Sequence, residues 1–188
     1  MLTNILLWII KVVIVPCGIT ASLPKEDEKK LYDKCKWYEQ QLLEAGVRVY
    51  GDYRDNYSPG WKFNNWELRG APVRLEIGPK DLAQNKFVAV RRDTGVKQTF
   101  EENNAISSIK QLLVDIHDNL YSRALEDLNN HVAVEETWEN FLKSLDAKKI
   151  IMAPFCGGKE CEDKVKKDSA RDAVVEEGAP AMGAKSLW

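Results

Sequence analysis

The chain has 188 residues, 44% of them hydrophobic and 30% charged, with a formal net charge of −2. That length suits one domain with a small appendage, and the composition argues for a globular chain against a disordered one. The near-neutral total excludes any case for nucleic-acid binding from the whole molecule, so such a case has to be local.

Leu2 to Val15 is mostly apolar, but Thr3, Asn4 and Lys11 interrupt it. It falls short of the ~20 residues of a membrane span. Nothing basic precedes Lys11, as a signal peptide would require. Residues 1–10 read as a leader and Lys11 to Pro16 as a first, buried parallel strand. Ser22 and Pro24 are helix-start signals, Leu31, Cys35, Tyr38 and Leu42 recur at helical spacing, and Gly46 stops the helix. Val47 to Tyr53 reads as a second strand, completing a strand–helix–strand crossover. Asp52 to Pro59 is a loop rich in Asp, Asn, Ser and Pro. Gly60 to Arg69 reads as a short helix closed by Gly70, Val73 to Ile77 as a strand after Pro72, and Lys86 to Asp93 as another strand before the Asp93-Thr94-Gly95 turn. Ile106, Ile109, Leu113, Ile116, Leu120 and Ala124 mark a long amphipathic helix. Trp138, Phe141, Leu142 and Leu145 mark a shorter one, and Lys149 to Phe155 reads as a final buried strand of the same small mixed sheet.

After Phe155 the character changes. Cys156-Gly-Gly-Lys-Glu-Cys161 leads into a charged helical stretch, Glu162 to Arg171, and the tail from Gly178 to Trp188 has few large apolar residues. Between Gly60 and Phe100 eight basic residues face four acidic ones, a local excess of +4. On composition alone such a bias reads more readily as a solvated charged face. The four cysteines form no dense disulfide framework, which favours a reducing compartment. No Walker-type phosphate loop, GxGxxG or HExxH occurs. Cys17 follows a strand without a histidine placed to activate it, and is expected to be a buried inert thiol. Trp61, Phe63 and Trp66 could stack bases or pack a core, and Arg54 with Asp55 is expected to form a salt bridge that pins the loop.

From Asp52 to Lys97 the landmarks are Arg54-Asp55, Pro59-Gly60-Trp61-Lys62-Phe63, Trp66-Glu67-Leu68, Gly70-Ala71-Pro72, Arg74, Gly78-Pro79-Lys80-Asp81 and Gly95-Val96-Lys97. In that order they closely resemble the anticodon-binding domain of prolyl-tRNA synthetases of the eukaryotic and archaeal type, bifunctional glutamyl-prolyl enzymes included. The resemblance covers roughly Val12 to Leu187. It implies an α/β architecture, the class II aminoacyl-tRNA synthetase anticodon-binding fold: a mixed sheet of about five strands flanked by helices, then the start of a C-terminal α/β zinc-type extension. The expected organisation is a non-family leader over 1–10, the anticodon-binding domain over 11–155 and a truncated C-terminal domain over 156–188.

The same resemblance implies a ligand, the anticodon loop of tRNA(Pro). Proline anticodons end in two guanines, whose edges offer two N–H donors and one carbonyl acceptor. A carboxylate suits the donors and an Arg or Lys the acceptor. Glu67, Arg74, Lys80 and Lys97 have those types and sit where the family places anticodon contacts; Asp81 is expected to orient Lys80 or take a base donor. Taken without the resemblance, Arg74 reads as a charge on an exposed strand face and Glu67 as a partner of Arg69 or Lys62. Cys156 and Cys161 have half of a zinc-site spacing. The family adds a second cysteine pair beyond a segment like Gly183–Leu187, and no such pair follows here, so this chain is not expected to hold zinc. ATP and magnesium belong to the family's catalytic half, whose motifs do not occur in these residues. The chain alone is expected to bind tRNA without forming prolyl-adenylate. A cytoplasmic location, no membrane association and, in the full-length family, a multi-synthetase complex complete the expectation. Two other readings stay open: a protein-interaction module on the same fold, and a metal-dependent structural module in which Cys156 and Cys161 pair with cysteines of another chain.

Overall fold

The computed structural model describes residues 10–170 and 183–186. The leader read over 1–10, apart from Ile10, and most of the small-residue tail lie outside the described residues. Two compact units divide between Arg123 and Ala124.

The first unit is built on a five-stranded sheet with the order β2-β1-β3-β4-β5. Its strands are β1 (Val12–Pro16), β2 (Val49–Gly51), β3 (Val73–Ile77), β4 (Lys86–Arg91) and β5 (Lys97–Glu101). β1 pairs in parallel with β2 and β3, whereas β4 and β5 run antiparallel to their neighbours. The mixed five-stranded sheet matches the expectation, but its fifth strand does not. β5 takes the place that the sequence reading gave to Lys149–Phe155. The lysine, glutamine, threonine and glutamate of β5 hide it, because an edge strand with little burial carries no apolar run.

Helix α1 (Lys25–Glu44) buries Leu31, Cys35, Tyr38 and Leu42 at helical spacing, and Gly46 adopts φ 80° just past its end. Helix α4 (Ala105–His131) buries Ala105, Ile109, Leu112, Leu113 and Ile116. These side chains meet Val12, Ile14, Val73, Leu75, Ile77, Phe87 and Ala89 in the main core on one face of the sheet. Each fully buried Leu or Ile there contributes about 1.5–3 kcal/mol. Alternation along the strands sends the other residues to the opposite face. There Val13 and Val15 are covered by α2 (Pro59–Leu68) through Trp66 and Phe63, with Ala71 beside them. α2 starts where Ser58 accepts a hydrogen bond from the Trp61 N–H at 3.3 Å, with Pro59 in the first turn. A short helix, α3 (Pro79–Ala83), follows β3 directly.

In the second unit β6 (Val132–Val134) and β7 (Ile150–Met152) form a separate two-stranded parallel sheet, with α5 (Trp138–Asp146) between them in sequence. The strand read over 149–155 is thus shorter than expected and not buried: Met152 is 60% and Ile150 45% exposed. Three apolar residues in a row give the same sequence signal in either environment. Helix α6 (Lys159–Ser169) ends with Ser169 Oγ donating to the Val165 carbonyl at 2.6 Å and accepting the Ala184 N–H at 2.7 Å. A Cβ on Gly183 would lie 1.9 Å from the Lys166 carbonyl oxygen, so only glycine permits this approach. No described helix is long and apolar enough to cross a membrane.

Candidate nucleic-acid interface

The α2-side face of the sheet carries its charges in rows. Register places Val13, Arg74, Val90 and Lys97 side by side across β1, β3, β4 and β5, with Glu76 opposite Val15 and Val88 one step along. α2 sits over β1, and the β3–β5 part of this face carries Arg74, Glu76 and Lys97 around Val88 and Val90.

Arg74 lies at the centre of that region. Its Nε and Nη2 donate to Glu76 Oε1 at 3.0 and 2.9 Å, and its Nη1 donates to Glu67 Oε1. The guanidinium carbon is 4.0 Å from the centre of the Phe63 ring, a cation–π contact beneath the ion pairs. Lys97 Nζ donates to Glu76 Oε2 at 3.0 Å. Two cations and two carboxylates therefore form one neutral network pivoting on Glu76. Its outer ends face water and its centre does not. The side chains of Glu67 and Lys97 are 51% and 59% exposed, those of Arg74 and Glu76 only 10% and 14%. Arg74 is thus an enclosed residue instead of a charge on an open strand face, and Glu67 pairs with it in preference to Arg69 or Lys62. Three of its five N–H groups are committed within the network.

Glu67, Arg74 and Lys97 are brought together as a site; Lys80 and Asp81 stand apart on α3, at the carboxyl end of β3. Lys80 is exposed. Asp81 Oδ2 accepts the Gly78 N–H at 2.9 Å, capping α3, and makes no ion pair with Lys80. The orienting role expected for Asp81 is therefore not what the geometry gives it. Glu76 escaped the sequence reading, although strand alternation alone puts residues 74 and 76 on one face.

A second network holds the loop after β2. Asp52 is fully buried. It accepts Arg54 Nε at 2.8 Å, Arg54 Nη2 at 2.6 Å and Trp66 Nε1 at 2.8 Å, while its carbonyl takes Lys62 Nζ at 3.2 Å. Burial by itself raises the Asp52 carboxyl, but the hydrogen bonds from Arg54 and Trp66 outweigh it and leave it below the usual carboxylate range. Arg54 thus pins the loop through Asp52 and not through Asp55. Trp66 belongs to the core, Phe63 supports Arg74, and Trp61 is exposed, stacked on Tyr57 at 3.8 Å and 12°.

The cysteines divide into two kinds. Burial pushes the Cys17 thiol up to about 11 and the Cys35 thiol up to about 12, so neither is a nucleophile at neutral pH. Cys156 is exposed, and its pKa is lowered by the Gly158 N–H and by a hydrogen bond with the Cys161 thiol. No group of three or more His, Cys, Asp or Glu side chains able to hold a metal exists among the described residues. The pair fits two of the four positions of a structural zinc and does not fit a closed site.

Comparison with known proteins adds relatives to this geometry. Residues 11–112 match the anticodon binding domain family, and residues 138–188 match the family described as prolyl-tRNA synthetase, C-terminal. α5 and β7 thus fall within the second match. The chain is 56% identical over 178 residues to the bifunctional glutamate/proline–tRNA ligase of Cricetulus griseus, covering 95% of this chain and 12% of that protein. It is 40% identical over 159 residues to the cytoplasmic proline–tRNA ligase of Arabidopsis thaliana, covering 84% of this chain and 29% of that protein. It is 40% identical over 157 residues to the proline–tRNA ligase of Thermofilum pendens, covering 84% and 32%. The chain spans between about an eighth and a third of the length of these relatives.

Proposed function

Because the chain belongs to the prolyl-tRNA synthetase family, whose anticodon-binding domain it carries, we propose that it reads the anticodon loop of tRNA(Pro) on the charged face of β3–β5. The observation that carries the reading is the placement of an exposed carboxylate, Glu67, and an exposed ammonium, Lys97, at the two ends of one buried network. Glu67 presents an acceptor to guanine N–H groups and Lys97 a donor to a guanine carbonyl, the pairing a guanine edge requires. Lys80 supplies a further donor at the carboxyl end of β3, and Asp81 keeps one carboxylate oxygen for a base donor while the other caps α3. Arg74 holds Glu67 and Glu76 in place and has N–H groups left for the RNA.

The domain serves ATP-dependent ligation of proline to its tRNA in the cytoplasm, with the chemistry in the catalytic part of the longer protein. Glutamate/proline–tRNA ligases, at 56% identity, support a place for it in an assembly that joins two synthetase activities. Cys156 and Cys161 have the spacing of half a zinc site, and no zinc is expected on this chain alone.

The test is binding of tRNA(Pro) by the purified chain at two salt concentrations, with the anticodon guanines intact or replaced. Salt-sensitive binding that weakens by about 1–3 kcal/mol for each guanine replaced is the expected result. Binding indifferent to the guanines reduces the site to a generic basic surface, and no binding at either salt overturns the reading.

A further inference from the structure

One exposed cluster has no part in the guanine-reading network. Tyr57, in the loop after β2, lies parallel to Trp61 in the first turn of α2, with ring centres 3.8 Å apart and an interplanar angle of 12°. Both remain exposed, Tyr57 at 37% and Trp61 at 43%. Arg54 completes the cluster, its guanidinium carbon 4.9 Å from the Tyr57 centre and 5.3 Å from the Trp61 centre. Near-equal distances to two stacked rings put the guanidinium beside the stack, at the ring edges. A cation capping either outer face would be close to one ring and far from the other. The outer faces are therefore not covered by Arg54.

The cluster is rigidly based. Arg54 is gripped by the fully buried carboxylate of Asp52, which also anchors Trp66 of α2. Ser58 caps the helix through the Trp61 N–H. A stack of two flat, partly exposed rings with a fixed cation at its edge matches an unpaired nucleotide: the base continues the stack and the phosphate meets the cation. The location agrees. β1, β2 and β3 are parallel, so their carboxyl ends lie along one edge of the sheet, where ligands of open α/β sheets gather. Arg54 and Tyr57 follow β2, while Lys80 and Asp81 follow β3, two inter-strand spacings or roughly 10 Å away. Trp61 and Glu67 are both carried by α2, roughly 9 Å apart along its axis.

We propose that the Tyr57–Trp61 stack beside Arg54 binds one unpaired nucleobase of the same RNA loop, adjacent to the guanines. The proposal rests on the anticodon reading and extends it to a base that is held by stacking, without hydrogen-bond discrimination.

The probe is an RNA stem-loop with the tRNA(Pro) anticodon loop sequence, together with versions in which each non-guanine loop base in turn is replaced by an abasic ribose. Affinities are measured by fluorescence anisotropy for the parent chain, Trp61→Ala, Trp61→Phe and Glu67→Gln, with thermal melts to confirm folding. Trp61→Ala is expected to weaken binding roughly 5- to 150-fold, the range of one lost base stack. Trp61→Phe, which keeps a ring, should recover most of it. One abasic position should weaken the parent by a similar factor and add nothing to Trp61→Ala. Parent-like affinity of a folded Trp61→Ala, with Glu67→Gln and guanine replacement still weakening binding, overturns the platform and leaves the anticodon reading intact. Insensitivity to Glu67→Gln and to the guanines overturns the anticodon reading itself. Equal losses for Trp61→Ala against every abasic RNA would show that no single base occupies the stack, and would also overturn the proposal.

Discussion

Asp52 and Glu76 are both carboxylates held by an arginine two residues away, and solvent treats them differently. Asp52 is fully enclosed, with Arg54, Trp66 and Lys62 closing around it. Glu76 is nearly as hidden, but its network ends in two side chains that stand in water, Glu67 and Lys97. The Asp52 carboxylate has no exposed edge left over, so its own role is to fix the loop between β2 and α2 and to hold Arg54 in place. The Glu76 network keeps free oxygens and N–H groups at its rim, so it can be read by a ligand. Closure of a polar network thus separates a structural role from a binding one, although the residue types are nearly the same.

The sharpest way to break that contrast is to remove the two carboxylates and compare stability with binding. Asp52→Ala leaves the buried indole N–H of Trp66 without its acceptor and releases Arg54. A loss of about 2–3 kcal/mol in the free energy of unfolding is expected from urea melts. The half-exposed position of Arg54 keeps the figure below that of a fully buried pair. Glu76→Ala should behave in the opposite way. The fold keeps most of its stability, because Arg74 retains Glu67 and Phe63, while tRNA(Pro) affinity falls by about 1–3 kcal/mol and guanine preference narrows. If Glu76→Ala unfolds the chain as Asp52→Ala does, the distinction between the two networks is lost.

Acid sharpens the same contrast. Asp52 and Asp93 both titrate below the ordinary value of 3.8. In each case burial pushes the pKa up and hydrogen bonds more than reverse it, for Asp93 those from Arg91 and Asn119. A depressed folded pKa means that the unfolded chain binds the proton first. The stabilisation is therefore complete above the unfolded value near 3.8 and disappears as pH falls through the lower folded value. Urea midpoints measured at pH 5 and pH 3 should fall for the parent chain and fall less for Asp93→Asn. An equal fall in both would remove Asp93 from the account.

Much of this was legible in the sequence wherever burial dictated the pattern. Val12 to Val15 is legible as a continuous apolar run because it is buried on both faces of the sheet, and the α1 stripe of Leu31, Cys35, Tyr38 and Leu42 and the first half of α4 follow from helical periodicity, because each faces the main core. β5 and β7 were not legible, for opposite reasons. β5 is nearly all polar and owes its place to hydrogen bonds with β4, while Ile150–Met152 looks like core and is largely exposed. At the candidate site, residue types and resemblance pointed to Glu67, Arg74, Lys80, Asp81 and Lys97. What they could not show was that Arg74 is enclosed, that Asp81 caps α3, or that Glu76 joins the two exposed ends. Those facts depend on register between strands, which single-sequence periodicity does not specify.

Lys97 gives the smallest effect and a clean reading of the rim. Its ion pair with Glu76 is exposed on the lysine side, so it should contribute less than about 1 kcal/mol to stability. Lys97→Ala therefore leaves the melt nearly unchanged. If the ammonium meets the RNA, its removal lowers affinity modestly at low salt. Two kinds of contact then separate by salt dependence. A contact to phosphate lowers the slope of log affinity against log salt by about one and leaves guanine preference as it was. A contact to a guanine carbonyl reduces the penalty for replacing that guanine. The proposed assignment predicts the second pattern, because register puts Lys97 in the row of Arg74 across Val90 and its ammonium reaches Glu76, where the base edge would lie. The first pattern would move Lys97 from reading the base to holding the backbone, leaving Glu67 as the reader on this face.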